Sequence, residues 1–398
     1  MFSFFVGIDV GKWNHQAAFL NYSGNHAARE LAFTNTSEGF QLLLLSLSSF
    51  DKTQTVVGLE ATGHYWLALF SFLVDNSWTV KIINPIQSDA LRNINIRKTK
   101  TDRKDSVLIA DVLRLGRYTE TVLPEEPMMQ LRELSRCRTG IVESSGNLKR
   151  KILGILDRIF PEFASCFSTV FGKAPTELLQ EFADPEELAN CDVEKLIKLL
   201  EKESRGRHSH KKAQELKGKA AQSIGIRMGL DAIKFELRLL IQQLDFIKKQ
   251  TKDIDKFLKK LMKQHEIILS IPGISYVLGA AILGEIGDVK RFATPQQLQA
   301  FAGMDPSVTQ SGNFTGTQGK ISKRGSPYLR RALYLAAHAA RRFDSVFKEH
   351  YEKLVARGKH PKQAMGAVVT KLLRVIHAVL KSQKPYNPQK LVSSKTAV

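Results

Sequence analysis

The first 117 residues alternate between short runs with the period-two pattern of strands and longer amphipathic runs typical of helices. Three strand-like runs come first, followed by a helix, a strand, a helix, a strand and a closing helix. The predicted strands are 3–11, 15–24, 29–35, 53–60 and 79–85, and the predicted helices are 37–50, 64–77 and the run after Thr101. This order predicts an α/β fold, a mixed sheet with helices packed on it.

The remainder of the chain is predicted to be helical. Residues 118–160 continue as a basic helix, and residues 161–262 form a charged helical connector. Leucine and isoleucine recur at heptad-like intervals in LRLLIQQLDFIKKQTKDIDKFLKKLMKQ, which predicts a long helical hairpin or a short coiled coil. We therefore expect an α/β domain over 1–160, the connector over 161–262, an all-α C-terminal domain over 263–383 and a disordered tail over 384–398.

The C-terminal domain opens with IPGISYVLGAAILGEIGD, the pattern of a helix, a tight glycine turn and a second helix. This pattern resembles a helix-hairpin-helix, whose turn amides can hold a phosphate backbone. An ordinary helical hairpin explains it equally well. A loop rich in Gly, Ser and Thr follows from Gly303 to Pro327, and loops of this length in compact domains are often functional.

The charge balance indicates the class of partner. The chain has 59 Lys and Arg against 39 Asp and Glu, a net charge of +20, which favours salt-dependent binding of DNA or RNA. An anionic membrane surface is the weaker alternative. No apolar run reaches the roughly 18 residues of a membrane span, and the start MFSFFVGIDV lacks the basic region of a signal peptide. Cys137, Cys166 and Cys191 have no metal-site spacing, so we expect reduced cysteines in a cytoplasmic protein.

Two predicted strands each place a carboxylate two positions after a glycine, Asp9 in GIDVG and Glu60 in GLEATG. Period two puts each glycine beside its carboxylate on one face of the sheet. We expect the glycines to leave room there for a ligand. Taken singly, each acid is better explained as a hydrogen-bonded polar residue, so further acids are needed to indicate a site.

The run KTKTDRKDSVLIADVL supplies two more acids at the start of the closing helix. Asp102, Asp105, Ile109 and Val112 fall on a single helical stripe, and Thr101 is the predicted N-cap. The stripe that should face the protein therefore begins with two carboxylates. Burial of two like charges is costly unless a cation or hydrogen-bond donors compensate them.

These acids have two explanations. Acidic residues in a first turn stabilise the helix dipole, with Arg103 and Lys104 screening them. Alternatively, an acid on the first strand, one on the fourth and two on the closing helix follow the order that a ribonuclease-H-like nuclease needs, because its first and fourth strands are adjacent. The four carboxylates would then hold Mg²⁺ or Mn²⁺, and two such ions about 4 Å apart could stabilise the attacking and leaving oxygens of phosphoryl transfer.

The same residues resemble a known family. Asp9 in GIDVGK, Glu60 in GLEATGHY and the TDRKD run look like the DEDD tetrad of insertion-sequence transposases of the IS110 and IS1111 type. The resemblance extends to IPGISYVLGAAILGEIGDVKRF, LQAFAGMDPSVTQSG and GKISKRGSPYLRRAL in the C-terminal half. It implies a RuvC-like N-terminal domain, a helical connector and a C-terminal transposase domain with a nucleophilic serine. It also implies a DNA recombinase guided by a structured noncoding RNA, often called a bridge RNA, with the four acids as metal ligands.

The serine is chosen by the resemblance alone. Four serines lie in the long loop: Ser307, Ser311, Ser322 and Ser326. Ser326 precedes Pro327 and a helical run, so it is the predicted N-cap of that helix. Composition does not choose among the others, but the family's serine belongs to an SG pair, which here is Ser311-Gly312. The resemblance implies that Ser311 attacks the scissile phosphate and forms a phosphoserine link.

Basic residues beside the acids and in the loop are predicted to hold phosphates, with a solvated surface as the alternative. They are Lys98, Lys100, Arg103, Lys104, Lys320, Lys323, Arg324 and Arg330. About 200 residues separate the acids from Ser311, so we expect a homo-oligomer, a dimer or tetramer, in which a composite site between subunits could form.

Three other functions are each consistent with part of this sequence. A RuvC-like nuclease that hydrolyses DNA junctions without a serine intermediate is the runner-up. A sugar-kinase-like fold also binds phosphate at a GIDVG turn, but the positive charge and the lack of a second Gly-rich loop argue against it. A non-catalytic nucleic-acid scaffold does not explain four acids, because carboxylates repel phosphates.

Overall fold

A computed structural model describes residues 2–61, 63–83, 85, 101–116, 125–204, 210–306, 310–311, 314–315 and 321–389. Its internal contacts divide the chain into two compact units, Met1–Leu123 and Pro124–Val398. The sequence-based boundary at residue 160 differs from this division, because the long helix that starts at Glu126 packs with helices of the second unit.

The first unit contains the predicted mixed sheet, in the order β3-β2-β1-β4-β5. Its strands are β1 Phe4–Val10, β2 Asn14–Asn21, β3 Leu31–Thr34, β4 Thr55–Glu60 and β5 Thr79–Ile83, and its helices are α1 Ser37–Leu47, α2 Trp66–Asp75 and α3 Asp102–Arg114. The pairs β1/β2 and β2/β3 are antiparallel, whereas β1/β4 and β4/β5 are parallel. The predicted adjacency of the first and fourth strands is therefore confirmed.

The alternating side chains of β1 and β4 separate the two faces of this sheet. Ile8 and Leu59 are fully buried in a core that includes residues of α1 and α2. On the opposite face, Phe5 and Val56 pack with residues of α3. Period two places Asp9 and Glu60 on the α3 face, because each lies an even number of positions from Phe5 or Val56.

The second unit is helical and is organised by two long helices. They are α4 Glu126–Ile159 and α9 Leu230–Leu261, and between them lie α5 Lys173–Glu181, α6 Pro185–Asn190, α7 Val193–Ser204 and α8 His210–Ala221. The long helices run antiparallel, since Arg138 donates to Asp255 at 2.5 Å and the amide of Ile226 donates to the Arg158 carbonyl at 2.9 Å. The predicted helical hairpin therefore exists, but α9 pairs with α4, which precedes the predicted connector.

The C-terminal helices surround one large core. They are α10 Tyr276–Ile286, α11 Pro295–Phe301, α12 Pro327–Phe343, α13 Ser345–Ala356 and α14 Pro361–Ser382. In the predicted helix–turn–helix, the first element is a short 3-10 helix, Glu266–Ser270, rather than an α-helix. The turn glycine, Gly273, has a φ of 88° and packs so closely on α12 that a Cβ would overlap the Ala340 backbone.

One apolar helix and the start of the tail depart from the sequence-based expectations. Within the described part of the chain, α14 is long and apolar enough to cross a membrane, but 61% of its most apolar window is buried in the protein, as in a core helix. The predicted disordered tail is also anchored at its start. The Tyr386 amide donates to Ser270 Oγ at 2.9 Å and its hydroxyl donates to Asp344 at 3.0 Å, while residues 390–398 lie outside the described residues.

A buried histidine in the first unit predicts a pH-dependent stability. His15 is 2% exposed beside Phe33 and Phe40, and desolvation lowers its pKa below the usual 6.5, an effect that a contact with Asn35 partly opposes. The unfolded chain therefore takes up a proton near pH 6.5 before the folded chain does. We expect the free energy of unfolding to be unaffected by His15 above this pH. Below it, stability should fall by up to about 1.4 kcal/mol per pH unit, until the folded-state pKa is reached.

Tryptophan fluorescence in urea measures this effect, because all three tryptophans lie in the first unit. His15→Phe should remove most of the slope between pH 7 and 5, since phenylalanine cannot titrate. The exposed His64 provides the control, and His64→Gln should keep the wild-type slope. Equal slopes in the wild type and His15→Phe would contradict the assignment.

Candidate active site

Two of the predicted acids lie side by side near the carboxyl ends of two neighbouring strands. The last parallel pair between β1 and β4 joins Ile8 to Leu59, and Asp9 and Glu60 are the next residue of each strand. Adjacent strands lie about 4.8 Å apart, so the two carboxylates start from neighbouring positions on one face. Glu60 is buried and Asp9 is half-buried. The fold therefore places these two acids on adjacent strands and on one face of the sheet, as the sequence predicted.

The two glycines serve a different purpose from the predicted one. A Cβ at Gly7 would overlap the backbone of Ser106 and Ala110, and a Cβ at Gly58 would lie 2.6 Å from Leu113 Cδ1. The space beside each carboxylate is thus filled by α3, so the prediction that the glycines leave room for a ligand is wrong. Their small size instead lets α3 approach the strands that carry the acids.

The two aspartates of α3 differ in their surroundings. Thr101 is the N-cap, as predicted, and its side chain accepts a hydrogen bond from the Lys104 amide at 3.3 Å. Asp105 is only 4% exposed, next to the fully buried Ser106, whereas Asp102 is exposed. The predicted inward-facing stripe is therefore correct for Asp105 and wrong for Asp102. Asp102 is the first residue of the helix, and the buried residues of α3 begin one turn later, at Asp105.

The donor set fits a hard divalent cation by its chemistry. Carboxylate oxygens from Asp9, Glu60 and Asp105 are the ligands that Mg²⁺ and Mn²⁺ prefer, and two of these three side chains are withdrawn from bulk water. Among the described residues, no three acidic, histidine or cysteine side chains are already close enough together to hold an ion. Side-chain rotation on the fixed strands and helix would therefore have to complete the set.

The serines of the long loop occupy distinct structural positions. Ser311 lies in a two-residue strand, β6 Gln310–Ser311, that pairs antiparallel with β7 Phe314–Thr315. Ser326 is the N-cap of α12, as predicted, and accepts from the Leu329 amide at 3.1 Å. Ser322 donates to Asp305 Oδ1 at 2.5 Å. Ser307 and Gly312 lie outside the described residues.

The predicted phosphate-binding residues differ in their exposure and in their known contacts. Lys104, Lys323 and Arg324 are exposed. Arg103 pairs with Glu30, and Arg330 donates to the Ala302 carbonyl at 3.2 Å, so both have an internal partner. Lys98, Lys100 and Lys320 lie outside the described residues.

A buried carboxylate in the second unit was missed by the sequence analysis. Glu285 is 5% exposed and accepts from Arg136 at 2.6 and 3.0 Å and from Ser326 Oγ at 2.7 Å. Arg132 lies 3.8 Å from the same carboxylate, and Arg136 stacks on Tyr328. The sequence feature that could have indicated this buried carboxylate is the single acid within the otherwise apolar run YVLGAAILGEI. This network ties α4 and α10 to the end of the serine loop.

Two family models match the chain at both ends. A DEDD-type IS110 transposase model matches residues 6–161, which include all four predicted acids. A model of the transposase IS116/IS110/IS902 family matches residues 265–352, which include Ser311.

Relatives with known names extend the match to nearly the whole chain. An uncharacterized 44.8 kDa protein of insertion element IS116 from Streptomyces clavuligerus is 25% identical over 96% of each chain. A pilin gene-inverting protein of Moraxella bovis is 25% identical over 96% of this chain and 97% of its own. The transposase for insertion sequence element IS1111A of Coxiella burnetii is 31% identical over 34% of this chain and 38% of its own. The chain belongs to the IS110-type family of transposases, and it is a DNA transposase or recombinase.

Proposed function

We propose that this transposase is a site-specific recombinase of an insertion sequence, which cuts and rejoins DNA with a metal-binding acidic cluster and a serine nucleophile. The observation that carries the proposal is the position of Asp9 and Glu60, adjacent in the sheet on the face where α3 buries Asp105. The strand order and the helices on both faces support the ribonuclease-H-like, RuvC-like assignment of the first unit.

The acidic cluster supplies the cation site. DEDD-type transposases generally depend on a divalent metal ion, and the oxygen-only donor set favours Mg²⁺ or Mn²⁺. Such an ion would stabilise charge on the attacking and leaving oxygens of phosphoryl transfer. Asp9, Glu60 and Asp105 orient this site from rigid elements, while the exposed Asp102 is free to rotate towards a bound ion or the DNA.

Ser311 would make the covalent link. Its Oγ attacks the scissile phosphorus, an Oγ–P bond forms, and the bond from phosphorus to the leaving deoxyribose oxygen breaks. The serine proton passes to a base, and the leaving oxygen becomes a hydroxyl. A free hydroxyl of another strand then attacks the phosphoserine, makes the new phosphodiester bond and returns Ser311 to its starting state. One relative is named a pilin gene-inverting protein, and inversion requires rejoined ends, which favours recombination over hydrolysis.

The partners follow from charge and family. The net charge of +20 suits both a DNA substrate and a structured noncoding guide RNA, with Lys104, Lys323 and Arg324 as exposed phosphate contacts. A homo-oligomer, a dimer or tetramer, would allow the acids of one subunit to act with Ser311 of another. The helix-hairpin-helix-like turn at Gly273 is a further proposed contact to the phosphate backbone.

Covalent trapping tests this proposal. The protein is co-produced with its native flanking noncoding region and mixed with labelled element-junction DNA and Mg²⁺, and a denaturing gel then reveals any protein–DNA adduct. We expect an adduct in the wild type that is lost completely in Ser311→Ala, because alanine has no nucleophilic oxygen.

Ser307→Ala is the matched control, since it removes a hydroxyl from the same loop and should keep the adduct. Loss of the adduct in Asp105→Asn as well would connect the metal site to the same step. DNA cleavage without any adduct, unchanged in Ser311→Ala, would instead mean a hydrolytic junction nuclease.

A further inference from the structure

The loop that carries Ser311 is closed at its base by paired backbone segments, which we call the neck, residues 301–306 and 321–326. Three backbone hydrogen bonds cross the neck. The amide of Ser326 donates to Phe301 O at 3.2 Å, that of Lys323 to Gly303 O at 3.1 Å, and that of Ser322 to Asp305 O at 2.8 Å. A bridge between Pro306 and Ile321 extends the pairing towards the hairpin.

Two glycines allow the neck segments to approach each other. A Cβ at Gly303 would lie 2.8 Å from the amide nitrogen of Gly325, and a Cβ at Gly325 would overlap Phe301 O. Gly303 also has a φ of 64°, a backbone conformation that glycine adopts without strain. Any larger residue at either position would push the two segments apart.

One residue of the neck is held in a strained conformation. Lys323 has a φ of 53°, which non-glycine residues rarely adopt and which costs energy unless the surroundings impose it. Its amide is fixed on Gly303 O. Residues in such conformations cluster at active sites, ligand clamps and switch regions.

Side-chain hydrogen bonds hold both ends of the neck. We call the end next to the core, at Ala302 and Ser326, the lower end, and the end next to the hairpin, at Asp305 and Ser322, the upper end. At the lower end, Ser326 Oγ donates to the buried Glu285 at 2.7 Å and Arg330 donates to the Ala302 carbonyl at 3.2 Å. At the upper end, next to the residues that lead to Ser311, Ser322 Oγ donates to Asp305 Oδ1 at 2.5 Å. A hydrogen bond to a charged acceptor is among the stronger ones in a protein.

We infer that Asp305 and Ser322 are positioning residues for the covalent step. Their hydrogen bond, which we call the latch, holds the two neck segments together. The Ser311 hairpin is thereby presented to the scissile phosphate in one orientation. The inference rests on the proposed function of Ser311. Neither residue needs to touch DNA. Their effect follows from geometry, because a displacement of about 1 Å in a nucleophile can cost about a hundredfold in rate.

The test compares Asp305→Ala with Asp305→Asn in the full chain, with the native flanking RNA, element-junction DNA and Mg²⁺. Asparagine keeps an oxygen that can accept from Ser322, whereas alanine does not. At saturating DNA, we expect adduct formation to slow by about tenfold to a hundredfold in Asp305→Ala and to stay within about threefold of wild type in Asp305→Asn. DNA affinity should be unchanged in both, which a general loss of folded protein would not produce. Thr294→Ala, which removes the N-cap hydroxyl of α11 in the same unit, is the control and should keep the wild-type rate.

A double-mutant comparison identifies the latch itself. Ser322→Ala should slow the adduct as much as Asp305→Ala does, and the double variant should be no slower than either single one. Two outcomes would overturn the inference: Asp305→Ala retaining the wild-type rate, or Asp305→Asn being as slow as Asp305→Ala, which would mean that the charge itself acts in the reaction.

Hydrogen exchange separates failure of the latch from failure of the proposed function. The amides of Ser322 and Lys323 should exchange about fivefold faster in Asp305→Ala than in wild type, the factor expected for one lost hydrogen bond. A wild-type protein that forms no adduct would refute the role of Ser311, whereas unchanged exchange in Asp305→Ala would refute the latch, whatever the activity.

Discussion

Replacing Asp105 with asparagine will slow metal-dependent DNA cleavage by at least about a hundredfold, while DNA binding stays near the wild-type level. Asparagine has nearly the same shape, so the packing of α3 on Gly7 should survive, but its amide is a poorer ligand for Mg²⁺ than a carboxylate. Loss of groups that only support metal ligands already costs about tenfold to a hundredfold, so loss of a ligand should cost more. Cleavage of labelled junction DNA at saturating protein, measured across a Mg²⁺ titration, gives the effect.

Asp111→Asn is the matched control on the same helix. Asp111 pairs with Arg114 at 2.8 Å and keeps 35% of its side chain exposed, whereas Asp105 is buried. Its replacement should leave the cleavage rate within about twofold of wild type. Equal rates in Asp105→Asn and wild type would remove Asp105 from the metal site and leave the helix-dipole explanation for its position.

Replacing Glu285 with alanine will destabilise the second unit by about 3 kcal/mol. The change leaves Arg136 and Arg132 without their shared carboxylate in a partly dehydrated environment, and it removes the acceptor of Ser326. Removing one partner of a buried ion pair usually costs about 3–5 kcal/mol. We expect the lower end of that range, because the two arginines keep 31% and 32% of their side chains exposed and water screens part of the lost interaction. Urea unfolding followed by helix ellipticity measures this change, since the long helices belong to the second unit.

Glu143→Ala offers a control of the same chemistry at the surface. Glu143 pairs with Arg331 at 2.6 Å, but both side chains are largely solvated, at 64% and 40% exposed. Its loss should cost no more than about 1 kcal/mol. The tryptophan signal, which reports the first unit, identifies any general damage to the protein. A Glu285→Ala variant as stable as Glu143→Ala would show that the buried network does not stabilise the unit.

Local sequence patterns predicted much of the first unit because strands and helices there follow from short-range periodicity. Period two in GIDVG and TVVGLE identified β1 and β4 and the face that carries Asp9 and Glu60. Thr101 was recognisable as an N-cap because its side chain satisfies an amide only three residues away. Ser326 was predictable for the same reason. Such interactions are complete within a few residues, so neighbours in the sequence are sufficient to specify them.

The remaining features of the fold depend on which helices and strands pack against each other. No local pattern shows that α3 occupies the space beside Gly7, that α9 pairs with α4 instead of a helix in its own connector, or that Tyr386 is anchored on Asp344. Burial of Asp105 and exposure of Asp102 follow from where α3 crosses the sheet, although both occupy the same predicted stripe.

The sequence by itself determined the order of strands and helices, the basic character of the chain, and the family motifs that hold the acids and Ser311. The tertiary structure decided which acids are buried, what fills the space beside the glycines, and how Glu285 and the Asp305–Ser322 pair hold the base of the serine loop. The physical reason is the distance along the chain over which each kind of interaction acts. Backbone propensity and capping act over three or four residues, whereas burial and long-range hydrogen bonds exist only once distant segments have packed together.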